Sequence, residues 1–506
     1  MLTKSTVQLM ALGLVGSFAA TAAAQDAGAL IDLMVRKGML KDQEAEQVRA
    51  QLSRDYAANT PAGKLNLSSS VKELKLSGDV RVRGQYDTQD SQAGLVNGDQ
   101  RMRYRVRLRI NGDYKLSDNF TAGFGLQTTQ NNDSGNQTLA GGSTGDYHQN
   151  YGVYINKAFI GWTPIPGLNV TGGKQVNPFY TTDMLWDADI NPTGFTQRVD
   201  LHKFLNIGPL ELSVVAGQFV VSDNNENNVS GKTNRDAFIY QTQLIAAANV
   251  TEGIKVTVAP GFYCSNAANL AATTSDGGGE YNSSKWSGLN QLDGLKVMLL
   301  PGDVSFKVAG LPVKFNWDLA YNKDGTDRSA LYGISGVTAS NSTYLLKDTA
   351  TGKLSSLDSA AAGKSVGDKT TFTGKTIVSE VVAGKSAVTE KSVTSSGRDD
   401  MAYLVGFVVG ENKKKGDWSL TANYRQVGLS AVDPNINDSD WALSFTNMSG
   451  YKAGFLYSLG DATTIGATYY QADNLRKDLG VIGASAGPGS VKNSVSVLQV
   501  DVQVKF

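Results

Sequence analysis

The chain has 506 residues, and its 47 Lys and Arg balance 47 Asp and Glu, so net charge argues for no nucleic-acid partner. Cys264 is the only cysteine, and His148 and His202 are the only histidines. That excludes an intramolecular disulfide, a cysteine cluster and a histidine-rich metal site.

The chain opens like an export signal. Lys4 supplies the positive start, Val7 to Ala20 an apolar run, and Ala22-Ala23-Ala24 before Gln25 a small-residue cleavage site. Residues 1–24 are therefore expected to be removed. The run is short for a spanning anchor, and no later segment reaches the roughly 18–20 apolar residues of a spanning helix. Residues 25–57 read as a helical segment. Leu30, Leu33, Met34 and Lys37 share a stripe that Gly38 interrupts; Asp42 then caps a second stripe of Ala45, Val48, Leu52 and Tyr56. A spacer or plug, and a periplasmic oligomerising or wall-contacting element, are both open for it. Residues 58–73 are a polar linker.

From Leu74 the period becomes two. Leu74, Leu76, Val80, Val82 and Tyr86 alternate with Lys75, Ser77, Asp79, Arg81, Arg83 and Gln85. Between Arg101 and Ile110 five arginines are each followed by an apolar residue. A helix would scatter them, but a strand puts Arg101, Arg103, Arg105, Arg107 and Arg109 on one face. The other face carries Met102, Tyr104, Val106, Leu108 and Ile110. A membrane barrel with a wet interior gives each face its solvent. Further strands are expected at 119–130, 151–163, 168–176, 194–204, 209–221, 236–249, 254–265, 288–300, 312–322, 400–410, 417–427, 450–459, 462–472 and 494–506, about 16 in all.

Connections alternate short and long. Short ones fall near 115–119, 164–167, 206–209, 251–253, 411–417 and 460–462. Long polar ones fall at 88–100, 131–150, 177–193, 222–235, 266–287, 323–399, 428–449 and 473–493. A barrel over 74–506 with periplasmic termini, short periplasmic turns and long extracellular loops predicts this rhythm. The Ser, Thr, Gly and Lys-rich stretch 323–399 reads as a surface loop with a small hairpin near 371–388; an adhesive lobe is the other reading. Tyr114, Phe120, Trp162 and Trp418 fall beside the short turns, and Tyr86, Tyr104 and Tyr321 nearer the long loops, as two interfacial girdles would.

The last nine residues, Leu498 to Phe506, form a period-two strand ending on an aromatic. This resembles the terminal strand of Gram-negative outer-membrane proteins, where the final aromatic is read by the barrel-assembly machinery. Asn177-Pro178-Phe179, Leu185-Trp186-Asp187-Ala188-Asp189, Asn191-Pro192-Thr193-Gly194 and Asn156 to Trp162 resemble the "Putative porin" family of such bacteria. The resemblance runs over most of 25–506 except 323–399. It implies an all-β, transmembrane antiparallel β-barrel preceded by the periplasmic helical segment, an outer-membrane location, contact with lipid and lipopolysaccharide, and a homotrimer passing small hydrophilic solutes.

On that reading Arg81, Arg83, Arg101, Arg103, Arg105, Arg107 and Arg109 line one wall of the channel. Same-face neighbours about 7 Å apart repel by roughly 0.6 kcal/mol in bulk water, so counter-charges are needed. Asp79 and Asp113 are candidates on the same strands. Asp183, Asp187 and Asp189 are a second set; by resemblance to general porins, their loop folds inward and faces the basic wall, with Phe179, Tyr180 and Trp186 packing it. Arginines that instead bind lipopolysaccharide would face outward near the surface, but five in a row span too much depth. Whether the acids cancel an anion preference is open. Passive diffusion leads over a substrate-specific anion channel, for phosphate or organic anions, and over an adhesion or tethering protein anchored by the barrel. No catalytic constellation, metal or cofactor is expected; His148 has no G-x-S-x-G nucleophile motif near it.

Overall fold

The computed structural model describes residues 35–37, 44–48, 68, 70–91, 99–129, 134–140, 150–222, 236–265, 295–325, 343–348, 354–358, 375–381, 399–475 and 493–506. The chain divides into Met1–Val71 and Lys72–Phe506. In the first unit the backbone is helical at 44–48, with a further turn at 35–37. The rest of the expected helical segment, the export signal and His148 lie outside the described residues.

The second unit is a ring of 16 antiparallel strands. They are β1 (Glu73–Ser91), β2 (Asp99–Lys115), β3 (Phe120–Thr128), β4 (Val153–Ile165), β5 (Leu168–Lys174), β6 (Thr193–Asp200), β7 (Glu211–Ser222) and β8 (Ala237–Thr251). Then come β9 (Ile254–Val258 with Gly261–Ser265), β10 (Lys296–Leu299 with Gly302–Val308), β11 (Leu311–Asn322) and β12 (Met401–Gly410). Last are β13 (Trp418–Val427), β14 (Met448–Gly460), β15 (Thr463–Asn474) and β16 (Asn493–Lys505). Each strand pairs with the next, and β16 pairs back onto β1. No edge is left in the ring to expose backbone groups to lipid. At the seam Phe506 donates its N–H to the Gly78 carbonyl (3.1 Å) and accepts from the Gly78 N–H (2.8 Å). A Cβ on Gly78 would sit 2.6 Å from the Phe506 ring, so only glycine lets that ring lie there.

Six of the seven connections at one end are short, and the seventh, 201–210, holds a 3-10 turn at Leu201–Lys203 where the expected strand 194–204 has already ended at Asp200. The long ones all lie at the other end. One hairpin differs. The strand expected at 288–300 is β10, which continues beyond Pro301 to Val308. The tight turn is Ala309-Gly310, with φ of 49° and 83°, the two-residue geometry whose twist suits a hairpin. Pro260 in β9 and Pro301 in β10 interrupt their ladders side by side: Val258 pairs Gly302 and Gly261 pairs Leu299. Two adjacent missing donors thus share one irregularity. In 323–399 the expected hairpin is a three-stranded sheet of Thr343–Asp348, Leu354–Asp358 and Lys375–Val381.

The two faces of the wall are sorted as the period-two pattern requires. Val82 and Tyr104 are 52% and 59% exposed, while Arg83, one residue from Val82, and Arg107, three from Tyr104, face the other side and are 4% exposed each. Outward rows such as Phe315, Leu319 and Tyr321, or Leu498, Val500, Val502 and Val504, continue around the ring. A water-soluble surface does not carry so continuous an apolar band. Phe120 stacks on Trp162 and Trp418 on Phe455 toward the short-turn end; Tyr403 meets Tyr424 and Tyr451 meets Tyr469 toward the long-loop end.

Candidate functional site: the barrel interior

The arginines occupy the inner face of β1 and β2. Register sets Arg81 opposite Arg107, Arg83 opposite Arg105 and Asp79 opposite Arg109. Like charges facing each other across a ladder repel unless carboxylates lie between them. Asp79 supplies one, bonding Arg107 (2.8 Å) and Arg109 (2.6 Å). Asp501 of β16 takes Arg83 through two parallel bonds of 2.7 and 2.9 Å, the planar fork that guanidinium and carboxylate share. Asp87 takes Arg103. Arg101, at the long-loop end of the row, is exposed. Asp113 lies opposite Lys75, lower on the same pair of strands.

The third long loop, 175–192 between β5 and β6, turns into the barrel. Its neck is narrow and pinned. Gly173 and Gly194 pair across β5 and β6 with φ of 117° and 151°, and a Cβ on either would lie 2.2 or 2.0 Å from a neighbouring carbonyl oxygen. Lys174 Nζ donates to the Asn191 carbonyl (3.0 Å), and Gln175 N to that of Pro192 (2.9 Å). Beyond the neck the loop touches walls on several sides. Phe179 and Trp186 meet Phe219 of β7 edge to face. Tyr180 donates its hydroxyl to Asp303 of β10, and its N–H to Gln243 of β8 (2.8 Å). Thr182 donates to Asp318 of β11 (2.7 Å).

The three acids of this loop part company. Asp189 alone approaches the arginine row, 3.8 Å from Arg107 and 3.9 Å from Arg109. Asp183 bonds Arg425 of β13 (3.0 Å) and Lys452 of β14 (2.8 Å), a second basic wall. Burial opposes its ionisation, but those two cations more than offset the cost and hold it below the usual carboxylate range. Asp187 faces neither wall. It accepts from Ser439 N and Oγ, both 3.1 Å, and its own N–H donates to the Ile436 carbonyl (2.6 Å). Burial, then Asp438 and Asp189, push it up to about 8 against those hydrogen bonds.

Those partners belong to the seventh long loop, 428–447, which folds inward as well. Asp438 N–H donates to the Asp183 carbonyl (2.9 Å), and Asp438 also bonds Arg425 (3.4 Å). Asp440 reaches Arg83 (3.3 Å), and Asp433 accepts from Tyr263 of β9 (3.1 Å). Trp441 lies under Arg425, 4.8 Å from ring centre to guanidinium carbon. An apolar cluster joins the two loops to one side of the wall. Met184, Trp186, Trp441 and Phe445 pack with Phe219 of β7, Ile239 of β8, Val297 of β10, Leu404 of β12 and Val427 of β13. The interior therefore carries an apolar cluster mainly along β7–β13, the arginine row on β1 and β2, and a second basic patch on β13 and β14.

Sequence reasoning missed Arg425, Lys452, Asp438, Asp440 and Asp501. The one local sign was in 428–447 itself, where Asp433, Asp438, Asp440, Trp441 and Phe445 crowd a loop otherwise read as surface.

A closed sixteen-strand ring, apolar outside and charged within, with loops folded into its interior, defines a transmembrane β-barrel of the channel-forming class. Residues 91–293 and 314–506 match the family described as "Putative porin", and the chain belongs to that family. The match begins inside β1 and runs through 323–399, the stretch excepted from the resemblance. No curated protein matches the chain. Among solved structures, the chain is similar to Salmonella typhi OmpF in complex with daunomycin, at 11% identity over 87% of this chain and 100% of that one, TM-score 0.40. It is also similar to an anion-selective porin from Comamonas acidovorans, at 11% identity over 86% and 99% of the two chains, TM-score 0.39.

Proposed function

We propose that this porin sits in the outer membrane and lets small hydrophilic solutes and ions diffuse passively along a water-filled path beside the arginine row. The observation that carries the reading is the strict division of β1 and β2 into an outer apolar face and an inner guanidinium face. Lipid takes the first and water the second. The opposed charges of Arg107 and Arg109 against Asp189 supply a transverse field to orient dipolar solutes. In this reading residues 1–24 direct export, Phe506 is the assembly-machinery signal, the outer rim contacts lipopolysaccharide, and three copies associate.

Planar-bilayer recording tests it. Purified chain gives stepwise ohmic conductance in KCl. Replacing Arg103, Arg105 and Arg107 with Ser leaves Asp87 without Arg103 and Asp79 with Arg109 alone, so the reversal potential under a KCl gradient moves toward cations. An unmoved reversal potential takes the arginine row out of the conduction path.

A further inference from the structure

Apart from the exposed Arg101, two guanidiniums in the row differ from the rest. Among the described residues, Arg83, Arg103, Arg107 and Arg109 each have a carboxylate within 4 Å, whereas Arg81 and Arg105 have none. Both instead converge on one neutral residue of the second long loop. Arg81 Nη2 donates to Asn136 Oδ1 (2.6 Å), and Arg105 Nη2 reaches the Asn136 carbonyl at 3.5 Å. Arg105 Nη1 donates to Gln85 Oε1 (3.2 Å). The Nε atoms of Arg81 and Arg105 are buried without a partner. The nearby acids are committed elsewhere: Asp501 and Asp440 to Arg83, Asp79 and Asp189 to Arg107 and Arg109.

Asn136 is not placed by chance. Gln137 and Thr138 pair in register with Val106 and Arg105 of β2, and Thr128 Oγ1 donates to the Gly135 carbonyl (2.8 Å). Ser134 Oγ accepts from the Asn136 side-chain amide (3.1 Å), which aims its oxygen at Arg81. Amide oxygens are weak counter-charges for guanidinium; ionised acceptors make bonds roughly twice as strong. Arg81 and Arg105 are diagonal neighbours on adjacent strands, within reach of one small ligand. Both side chains are part-exposed.

Resting on the porin reading, we propose that Arg81 and Arg105 form a binding site for a small dianionic oxyanion in transit, with Asn136 as the neutral gatekeeper whose oxygens the anion displaces. Two positive charges held by neutral oxygens match a dianion, such as inorganic phosphate or a dicarboxylate. Planar fork geometry matches paired anionic oxygens. Chloride, with one charge and no paired oxygens, gains less.

The test uses the full chain in two measurements at pH 8. In planar bilayers, phosphate or succinate added to KCl lowers single-channel current in a saturable way, beyond the effect of chloride at equal ionic strength. Isothermal titration of the detergent-solubilised protein with phosphate shows matching saturation. Asn136→Asp places an internal carboxylate between the two guanidiniums and weakens both effects at least tenfold; the double variant Arg81→Gln, Arg105→Gln does the same. Heat-modifiable gel migration confirms that each variant is folded, and should the double variant misfold, Asn136→Asp decides. Phosphate acting no more strongly than chloride, or equally on wild type and Asn136→Asp, overturns the site. Absence of any KCl conductance overturns the porin reading instead, and the titration still decides whether the anion binds.

Discussion

Neutralising Asp183 by substitution with Asn unlocks the two inward loops from the β13–β14 wall. Asp183 holds Arg425 at 3.0 Å and Lys452 at 2.8 Å, and Arg425 is 1% exposed. After the change Arg425 keeps Asp438 at 3.4 Å and the Trp441 ring, and Lys452 keeps the Tyr470 ring, but neither keeps a carboxylate within 3 Å. Breaking a buried ion pair by removing one partner costs about 3–5 kcal/mol, because the remaining charge stays desolvated. Asp183 is 26% exposed, so the lower end applies, about 3 kcal/mol. At 1.4 kcal/mol per factor of ten that lowers the ratio of docked to undocked loop roughly a hundredfold. The barrel itself is untouched, since its strand ladders do not involve Asp183. Bilayer recordings are expected to show larger, flickering open currents, and amide hydrogen exchange to rise in 180–190 and 433–441 while strand protection holds. Wild-type current noise together with wild-type exchange in both loops would refute the idea that this acid latches them.

Three further outcomes follow from the same geometry. Asp187 has a docked pKa pushed up to about 8 against about 3.9 when free, so docked loops bind the extra proton. Docking is strongest below about pH 4 and weakens as pH rises toward 8; Asp187→Asn flattens that part of the exchange profile, and an unchanged profile counts against its burial. Gly194→Ala forces a Cβ to within 2.0 Å of the Gln218 carbonyl at a φ of 151°, so heat-modifiable folding yield falls with a cost of about 1–3 kcal/mol, whereas Gly208→Ala, with open space around it, costs less. Deleting 325–398 leaves bilayer conductance unchanged; its loss assigns that segment to the channel rather than to the surface.

The wall was legible from periodicity; the inward third loop was expected only by resemblance, and the inward seventh loop was not expected. Alternation in Leu74–Gln85 and Arg101–Ile110 is a local signal, and turn composition repeats with strand parity, so strand number and loop lengths follow from neighbours a few residues apart. The continuation of β10 past Pro301 was not legible, because a strand carries an inner proline only where its partner yields too, as Pro260 does on the adjacent strand. The pairing of Asp183 with Arg425, or of Arg83 with Asp440, joins segments 242 and 357 residues apart. Nothing local marks Arg425 off from any inward polar residue. The apolar inner residues Val215, Phe219 and Leu404 also contradict the simple rule of polar inside, because two loops give them a dry partner. A barrel's interior is assembled by tertiary contact, and strand periodicity reports only which side a residue faces.

The clasp between Phe506 and Gly78 fastens the end of β16 to the first barrel strand. The ring therefore cannot shut until every strand through β16 has been made and handed over. Every shorter intermediate carries two raw margins, hungry for hydrogen bonds and prone to join the wrong neighbour. Completion of this molecule is a single event at one stitch, and whatever escorts the unfinished sheet must hold both margins until that stitch is made.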